Sequence, residues 1–307
     1  MAGKMGTKQQ WGPLMPGCLY SPYPYCYRCP FGLGEWYGTG DRAFCGGKAA
    51  AEGSVPAKEV PPCGFLCQTW MDKVVDTTST GDLAAVILEP YQGGAGFIFP
   101  PEGWLRRVQE WCRERGVLFI VDEVQASFGR TGKLFAIEHE GLQPNLLCLG
   151  KGIGSGIPTA ALMAEGRIMS TFAPGEMSST TGGNPVSCAA AHAVLDIMEE
   201  EQLVASSAKV GAMMLARFKE LQGQFEVLGD ARGKGLVIGL EFVKDKASKE
   251  PAPELTVEII KRMCERGVVC GRVGIYGNVL RVAPPLVITE EQANESVDVL
   301  EGVLGGM

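Results

Sequence analysis

The pattern of apolar and polar positions changes twice along the 307-residue chain. Residues 1–80 show neither helical nor strand periodicity and are rich in Gly, Pro, Tyr and Cys, which predicts an irregular segment. From residue 81 onward, short continuous apolar runs alternate with longer amphipathic stretches. Beyond residue 221 the pattern changes again, to that of an α+β domain. The pattern therefore predicts three parts: an irregular segment at 1–80, a large domain at 81–221 and a small C-terminal domain at 222–307.

The apolar runs of the large domain predict strands that are buried on both faces. These four strands are expected at Ala84–Glu89, Val117–Asp122, Leu146–Gly150 and Thr159–Ala164. The amphipathic stretches predict helices at Glu102–Arg115, Pro185–Glu200 and Gln202–Leu221. Because strands that alternate with helices usually pair in parallel, we expect an α/β domain with a mostly parallel sheet covered on both faces.

The small domain is predicted to be α+β. Its expected strands are Gly235–Phe242, Val268–Cys270 and Asn278–Val282, with a helix at Glu254–Arg266. Thr289 opens the last helix, and Gln292 three residues later completes a capping box.

Composition excludes two classes of partner. The formal net charge is −7, and the basic residues are scattered, so no stripe is available to neutralise nucleic-acid phosphates. No apolar run approaches the roughly 20 residues that a membrane-spanning helix needs. The first ten residues are polar and do not resemble a secretory signal, so we expect a cytoplasmic protein.

Lys151 is the first candidate for chemistry. It follows the strand Leu146–Gly150 directly and precedes a run of small residues, Gly152-Ile153-Gly154-Ser155-Gly156. Ligands bind at the carboxyl ends of parallel strands, and small neighbours leave room for a ring. A partly desolvated lysine there favours the neutral amine that Schiff-base chemistry requires. The alternative is a surface lysine in a glycine-rich turn.

Asp122 strengthens the first interpretation of Lys151. It ends the preceding strand, so the two side chains are expected at the same edge of the sheet. A carboxylate there suits pyridoxal 5′-phosphate (PLP), whose pyridine nitrogen needs an anionic partner to stay protonated. The alternative role of Asp122 is that of an ordinary cap on a loop.

Six segments, in the same order and at similar spacing, resemble the class III (ω-type) aminotransferase family, of PLP fold type I. They are LEPYQGGAG from Leu88, IVDEVQASFGRTG from Ile120, LCLGKGIGSGIP from Leu147, SSTTGGNP from Ser178, RGKGL from Arg232 and LRVAPPLVIT from Leu280. Together they cover nearly all of the chain from residue 81 to its end.

The resemblance implies roles for particular residues. Lys151 would carry the cofactor and move the proton, and Asp122 would pair with the pyridine nitrogen. Val124 would pack under the ring, and Gln125 would lie near its phenolic oxygen. Thr180 would bind the cofactor phosphate of a partner subunit, which implies a homodimer with sites at the interface.

Arg281 resembles the carboxylate-binding arginine of the family. A guanidinium grips a carboxylate with two parallel hydrogen bonds, which supports that role. The alternative is a salt-bridged strand residue. Glu89 and Arg130 are expected to be structural at the edge of the site, and Asn184 is expected to begin a helix.

Two departures from the family pattern qualify the expected activity. Gly94 stands where members that use ω-amines commonly carry a glutamate that masks the arginine, which favours plain α-amino acids as substrates. The phosphate-binding loop and stacking aromatic that precede the matched region in the family are not found. The sequence therefore resembles an N-terminally truncated member, namely a fragment, a mis-started reading frame, half of a split enzyme or a minimal form. Tyr23, Tyr25 and Tyr27 either replace the stacking aromatic or pack locally.

Six of the eleven cysteines crowd the first 67 residues. Cys26 and Cys29 form one close pair and Cys63 and Cys67 another, with Cys18 and Cys45 as spares. Four such thiols suit a tetrahedral zinc ion, although the spacing is loose, and we assign no metal. Structural disulfides are not expected in a cytoplasmic protein.

The function expected from the sequence is PLP-dependent transfer of an amino group between an amino acid and a 2-oxo acid such as 2-oxoglutarate. The alternatives left open are an amino-acid racemase or decarboxylase of the same family, and a catalytically silent chain or component of a split enzyme. A zinc-binding interaction module is a third possibility.

Overall fold

The computed structural model describes residues 12–32 and 63–307. In these ranges the chain forms two four-stranded sheets, each with its own apolar core. The first sheet has the strand order β1-β2-β3-β4. Its strands are β1 (Ala85–Leu88), β2 (Leu118–Asp122), β3 (Leu146–Leu149) and β4 (Ala161–Ala164).

Strands β1, β2 and β3 are parallel, and β4 pairs antiparallel with β3. All four predicted strands of this sheet are confirmed, with bounds that differ by one or two residues. The helix α2 (Trp104–Glu114) packs against β2 through an apolar face that includes Val108 and Trp111. Helix α1 (Leu66–Thr78) contributes Met71 to the same core.

The remaining helices carry the chain from the first sheet to the second and then cover the second. They are α3 (Gly166–Met169), α4 (Pro185–Glu200), α5 (Leu203–Gln224), α6 (Pro253–Glu265) and α7 (Glu290–Leu304). Asn184 caps α4 as expected, because its side-chain oxygen accepts the Ser187 N–H at 3.0 Å.

The second sheet is wholly antiparallel, with the strand order β5-β6-β8-β7. Its strands are β5 (Leu228–Lys234), β6 (Val237–Phe242), β7 (Gly271–Val273) and β8 (Val279–Val282). Helices α5, α6 and α7 supply apolar side chains to its core, among them Met214, Ile259 and Val297. The capping box of Thr289 and Gln292 at the start of α7 is confirmed.

Four expectations need correction. Residues 1–80 are not wholly irregular, since α1 lies within them. Strand β5 was not predicted, because its buried Asp230 and Arg232 have the polarity of a loop. The strand expected at Val268–Cys270 lies three residues later, at Gly271–Val273.

The fourth correction concerns the first sheet, which is not covered on both faces within the described residues. Ile87 in β1 and Leu162 in β4, which lie on the same face of the sheet, are 61% and 47% exposed. The described helices pack on the side that holds Phe119 and Val121, and none of them covers the side that holds Ile87 and Leu162. No helix among the described residues is long and apolar enough to span a membrane.

The tyrosine-rich segment (residues 20–32) runs between the two sheets. Tyr23 donates its hydroxyl to the carbonyls of Glu89 and Pro90, both at 3.1 Å, just after β1. Tyr25 donates to the Glu241 carboxylate of β6. Tyr23 and Tyr25 therefore contact residues far along the chain, which differs from the local packing that was one of the two alternatives.

Candidate active site

Three ionisable side chains stand at the carboxyl ends of the three parallel strands. Glu89 follows β1, Asp122 ends β2 and Lys151 lies two residues after β3. Asp122 pairs in register with Cys148, so it lies beside the strand that delivers Lys151. Burial raises the pKa of Glu89, and the negative charge of Asp122 raises it further while Lys151 lowers it. The three groups therefore share one electrostatic neighbourhood, as the sequence predicts for Asp122 and Lys151.

The backbone at Lys151 is unusual. Its φ is +43°, in the left-handed region that a residue with a Cβ rarely adopts, and it opens a short 3-10 helix to Gly154. Such conformations cluster at functional sites, where the surrounding structure enforces them. A Cβ at Gly152 would lie 3.1 Å from the Phe128 side chain, so this glycine allows the turn to close onto the core.

The expected partial burial of Lys151 is not observed, because the side chain is exposed. The neighbouring residues Gly152 and Ser155 are exposed as well, although α4 packs against this turn. Lys151 is therefore reachable from solvent in this chain.

Asp122 and Val124 are fixed by the turn that follows β2. The Asp122 carboxylate accepts the Val124 N–H at 3.0 Å, which orients the carboxyl group. Val124 packs against Gly150, where a Cβ would lie 3.0 Å from its Cγ1 atom. Val124 is thus held beside the residue that precedes Lys151.

Gln125 is held in place by another glycine. A Cβ at Gly93 would lie 1.9 Å from the Gln125 Oε1 atom, so the amide fits only because Gly93 has no side chain. The Gln125 Oε1 atom is buried and has no hydrogen-bond partner among the described residues. Because buried polar atoms are nearly always paired, this amide is available to a polar group of a bound molecule.

A cavity of about 470 Å³ brings Lys151, Gln125 and Arg281 together. It lies between the edge of the first sheet and the second sheet, with α4 as a further wall. This volume is within the usual range for sites that bind small molecules. Its apolar lining includes Tyr91, Phe97, Phe128 and Met198, none of which the sequence marked as site residues. Asp122 and Val124 are not part of the lining but lie directly behind it.

Arg281, on β8, presents an exposed guanidinium to this cavity. Its Cζ atom lies 5.7 Å from the centre of the Phe97 ring, within cation–π range. Among the described residues it has no carboxylate partner, which argues against the salt-bridged alternative. Arg281 is therefore a cation that is free to bind an anionic group in the cavity.

Arg130 also lines the cavity, but its guanidinium is hydrogen-bonded to backbone carbonyls. Its Nη1 atom donates to the carbonyls of Leu236 at 3.1 Å and Pro284 at 2.6 Å. Burial lowers the pKa of Arg130, and the positive charge of Arg281 lowers it further. The carbonyl contacts tie the first sheet's turn to the second sheet, in keeping with the edge role expected of Arg130.

Thr180 stands apart from these residues. It lies in an exposed stretch, 171–182, and is not part of the cavity lining. The structure therefore brings together Lys151, Asp122, Val124, Gln125 and Arg281, and leaves Thr180 outside.

The cysteines do not form a metal centre in the part of the chain that the structure describes. Cys18, Cys26, Cys29, Cys63 and Cys67 are free thiols. Within residues 12–32 and 63–307, no three His, Cys, Asp or Glu side chains are placed to hold a metal ion. Cys45 lies outside the described residues.

The mixed sheet joined to a separate antiparallel sheet is shared with solved aminotransferases, and this likeness assigns the chain to PLP fold type I. The sequence model of the class-III aminotransferases matches residues 64–304. The chain belongs to this family.

Individual relatives agree with that assignment. A 4-aminobutyrate aminotransferase of Mycobacterium leprae is 37% identical over 304 residues, which are 99% of this chain and 63% of the relative. A leucine/methionine racemase of Thermococcus litoralis is 37% identical over 283 residues, 92% of this chain and 58% of the relative. An amine transaminase from an uncultivated Pseudomonas species, solved in its PLP-bound (internal aldimine) form, is 31% identical with a TM-score of 0.81. That match covers 97% of this chain and 64% of the solved chain. The chain thus spans about three fifths of the length of these relatives.

Proposed function

We propose that this chain carries the catalytic lysine of a PLP-dependent aminotransferase. The reaction would move an amino group between an amino acid and a 2-oxo acid such as 2-oxoglutarate. The observation that carries the proposal is the cavity shared by Lys151, Gln125 and Arg281, with Asp122 directly behind it.

The residues present fit this cofactor. The orphaned amide oxygen of Gln125 and the free side chain of Lys151 line the cavity, and Asp122 offers a carboxylate at the adjacent strand end. When bound, PLP supplies an aldehyde that condenses with amines and a ring that accepts electrons.

Each residue then has a task. Lys151 would hold the cofactor aldehyde and would move a proton to and from the substrate Cα. Asp122 would keep the ring nitrogen protonated, and the hydrogen bond that it accepts from the Val124 N–H orients the carboxylate. Val124 would support the ring, Gln125 would bind the phenolic oxygen, and Arg281 would bind the substrate carboxylate.

Thr180 is assigned to the cofactor phosphate of a partner subunit in a homodimer. Thr180 is exposed in this chain and is not part of the cavity lining, which supports a role toward a partner subunit. A cytoplasmic location stays a prediction of the sequence.

Cofactor capture tests the proposal most directly. The purified chain is incubated with PLP and reduced with borohydride, and the modified peptide is identified by mass spectrometry. We expect one pyridoxyl group per chain, on Lys151, and none in Lys151→Ala. Lys209→Ala, which removes an exposed lysine on α5, is the matched control and should label like the wild type. Labelling scattered over surface lysines would contradict the proposal.

A racemase is the second candidate, because a leucine/methionine racemase is as similar to this chain as the aminotransferase is. The two activities separate in one assay. An aminotransferase converts more than one equivalent of L-leucine to its 2-oxo acid only when an amino acceptor is present. A racemase produces D-leucine without an acceptor, which chiral chromatography detects.

A further inference from the structure

Arg232, from the RGKGL segment, has no part in the proposed chemistry, yet it lies in register with the substrate-binding arginine. Arg232 on β5 pairs with Gly239 on β6, and Gly239 pairs with Arg281 on β8. Residues directly opposite each other on neighbouring strands project from the same face of a sheet. Two arginines therefore flank a position that has no side chain.

The space above Gly239 is filled by the loop that follows β1. A Cβ at Gly239 would lie 2.9 Å from the Gly96 carbonyl oxygen and 3.2 Å from the Phe97 Cβ atom. The Gly274 and Ile275 N–H groups also donate to this loop, at 3.2 Å each. The loop thus sits directly on the second sheet, between the two arginines.

Arg232 forms hydrogen bonds with the backbone of this loop. Its Nε atom donates to the Phe97 carbonyl at 3.0 Å, and its Nη2 atom donates to the Gly96 carbonyl at 2.6 Å. Its charge is balanced on the other side by Asp230 at 2.8 Å and Glu241 at 2.7 Å. The side chain is 6% exposed, so these contacts are shielded from water.

Phe97 needs such support. Its φ is +51°, an unfavourable conformation for a bulky residue, and one that persists only when the surroundings enforce it. The ring is 1% exposed, lines the cavity and lies beneath the Arg281 guanidinium. A guanidinium that rests on an aromatic face is held in position before it meets an anion.

We propose that Arg232 is a positioning residue. By holding Gly96 and Phe97, it keeps the Phe97 ring under Arg281 and so sets the affinity of the site for a carboxylate. The inference rests on the proposed function to the extent that Arg281 binds the substrate carboxylate.

The test uses two probes that each carry half of an amino acid, and no PLP is added, so that neither probe reacts. 3-Methylbutanoate carries only the carboxylate, and isobutylamine carries only the amine. Binding of each to the full chain is measured by isothermal titration calorimetry, with the melting temperature as a check on folding. The variants are Arg232→Lys, Phe97→Leu and their double mutant, with Arg281→Met as the reference for lost carboxylate binding.

Two further variants sharpen the test. Gly239→Ala displaces the same loop without altering a charge, and it serves if Arg232→Lys does not fold. Lys219→Met is the matched control, because Lys219 faces Asp230 at 3.7 Å but does not contact the loop.

We expect Arg232→Lys and Gly239→Ala to raise the dissociation constant of 3-methylbutanoate roughly threefold to tenfold, the scale of a cation–π contact. Isobutylamine binding and Lys219→Met should match the wild type. The double mutant should bind no more weakly than Phe97→Leu alone, since both changes remove the same support. Unchanged carboxylate binding in folded Arg232→Lys, or additive effects in the double mutant, would overturn the positioning role of Arg232 but not the proposed function. Wild-type binding that does not depend on Arg281 would overturn the proposed clamp as well.

Discussion

At the scale of single residues, Glu123 shows how burial changes an ionisable group beside the site. It follows Asp122, is fully buried, and accepts the Ile137 N–H at 2.8 Å through Oε1. Its Oε2 atom has no hydrogen-bond partner among the described residues. Burial is the main cause that raises the pKa of Glu123 from 4.5 to about 7. The folded protein therefore keeps a proton that the unfolded chain releases.

This shift predicts a pH-dependent stability. Between about pH 4.5 and pH 7 the folded state binds the extra proton, so the free energy of unfolding falls as the pH rises. Glu123→Gln removes the titrating group and with it this pH dependence. The free energy of unfolding of the variant, relative to that of the wild type, should therefore increase with rising pH, by at most about 3 kcal/mol. Urea denaturation at pH 5, 6 and 7.5 measures the difference.

Glu295→Gln, at an exposed position on α7, is the control for this prediction. Its stability relative to the wild type should not follow the same slope. Equal slopes for Glu123→Gln and the wild type would contradict a protonated Glu123 in the folded state.

At the scale of elements, the capping box of α7 is a local feature with a measurable effect. The Thr289 hydroxyl accepts the Gln292 N–H at 3.2 Å, and the Gln292 side chain accepts the Thr289 N–H at 3.1 Å. Thr289→Ala should lower the free energy of unfolding by about 1 kcal/mol. Helix α7 packs on the core of the second sheet, so the loss should appear as a lower urea midpoint with an unchanged slope.

Thr77→Ala is the matched control. The Thr77 hydroxyl donates to the Lys73 carbonyl inside α1 and caps no helix, so its removal should be close to neutral. If both variants lose the same free energy of unfolding, the loss comes from replacing threonine by alanine and not from removing the cap.

The elements also show where sequence patterns succeed and where they fail. Periodicity predicts β2 and β3, and the residues at their ends, because a continuous apolar run marks a buried strand whatever packs on it. It misses β5 because Asp230 and Arg232 are buried as a pair whose partner Glu241 lies on another strand. Phe97 is missed as a site residue for the same reason, since its position depends on Arg232, 135 residues further along the chain.

The exposure of Lys151 is another property that no local pattern contains. Burial of a side chain at a strand end depends on how the segments that pack beside it are placed, and α4 packs against the Lys151 turn without burying the Lys151 side chain. Chemistry at the end of a strand is therefore predictable from sequence, whereas its shielding from solvent is a tertiary property.

At the scale of the whole molecule, the tyrosine-rich segment links the two sheets. Tyr23 bonds to the chain after β1 and packs edge-to-face on Trp104, with ring centres 5.1 Å apart. Five residues later, the Arg28 guanidinium pairs with Glu241 of β6 and also donates to the Lys249 carbonyl. Glu241 is fully buried, so this ion pair is shielded from water.

Arg28→Met should therefore loosen the attachment of residues 20–32 to the second sheet and lower the free energy of unfolding. A hydrogen bond to a buried charged group contributes about 2 kcal/mol, and the loss is limited because Arg232 still pairs with Glu241. Arg167→Met is the control: Arg167 also pairs with a glutamate, Glu165, but both side chains are largely exposed, so the loss should stay below about 1 kcal/mol. Urea denaturation compares the two variants, and limited proteolysis should cut residues 20–32 faster in Arg28→Met alone. If both variants lose the same stability and the cleavage rate does not change, the segment does not hold the two sheets together through Glu241.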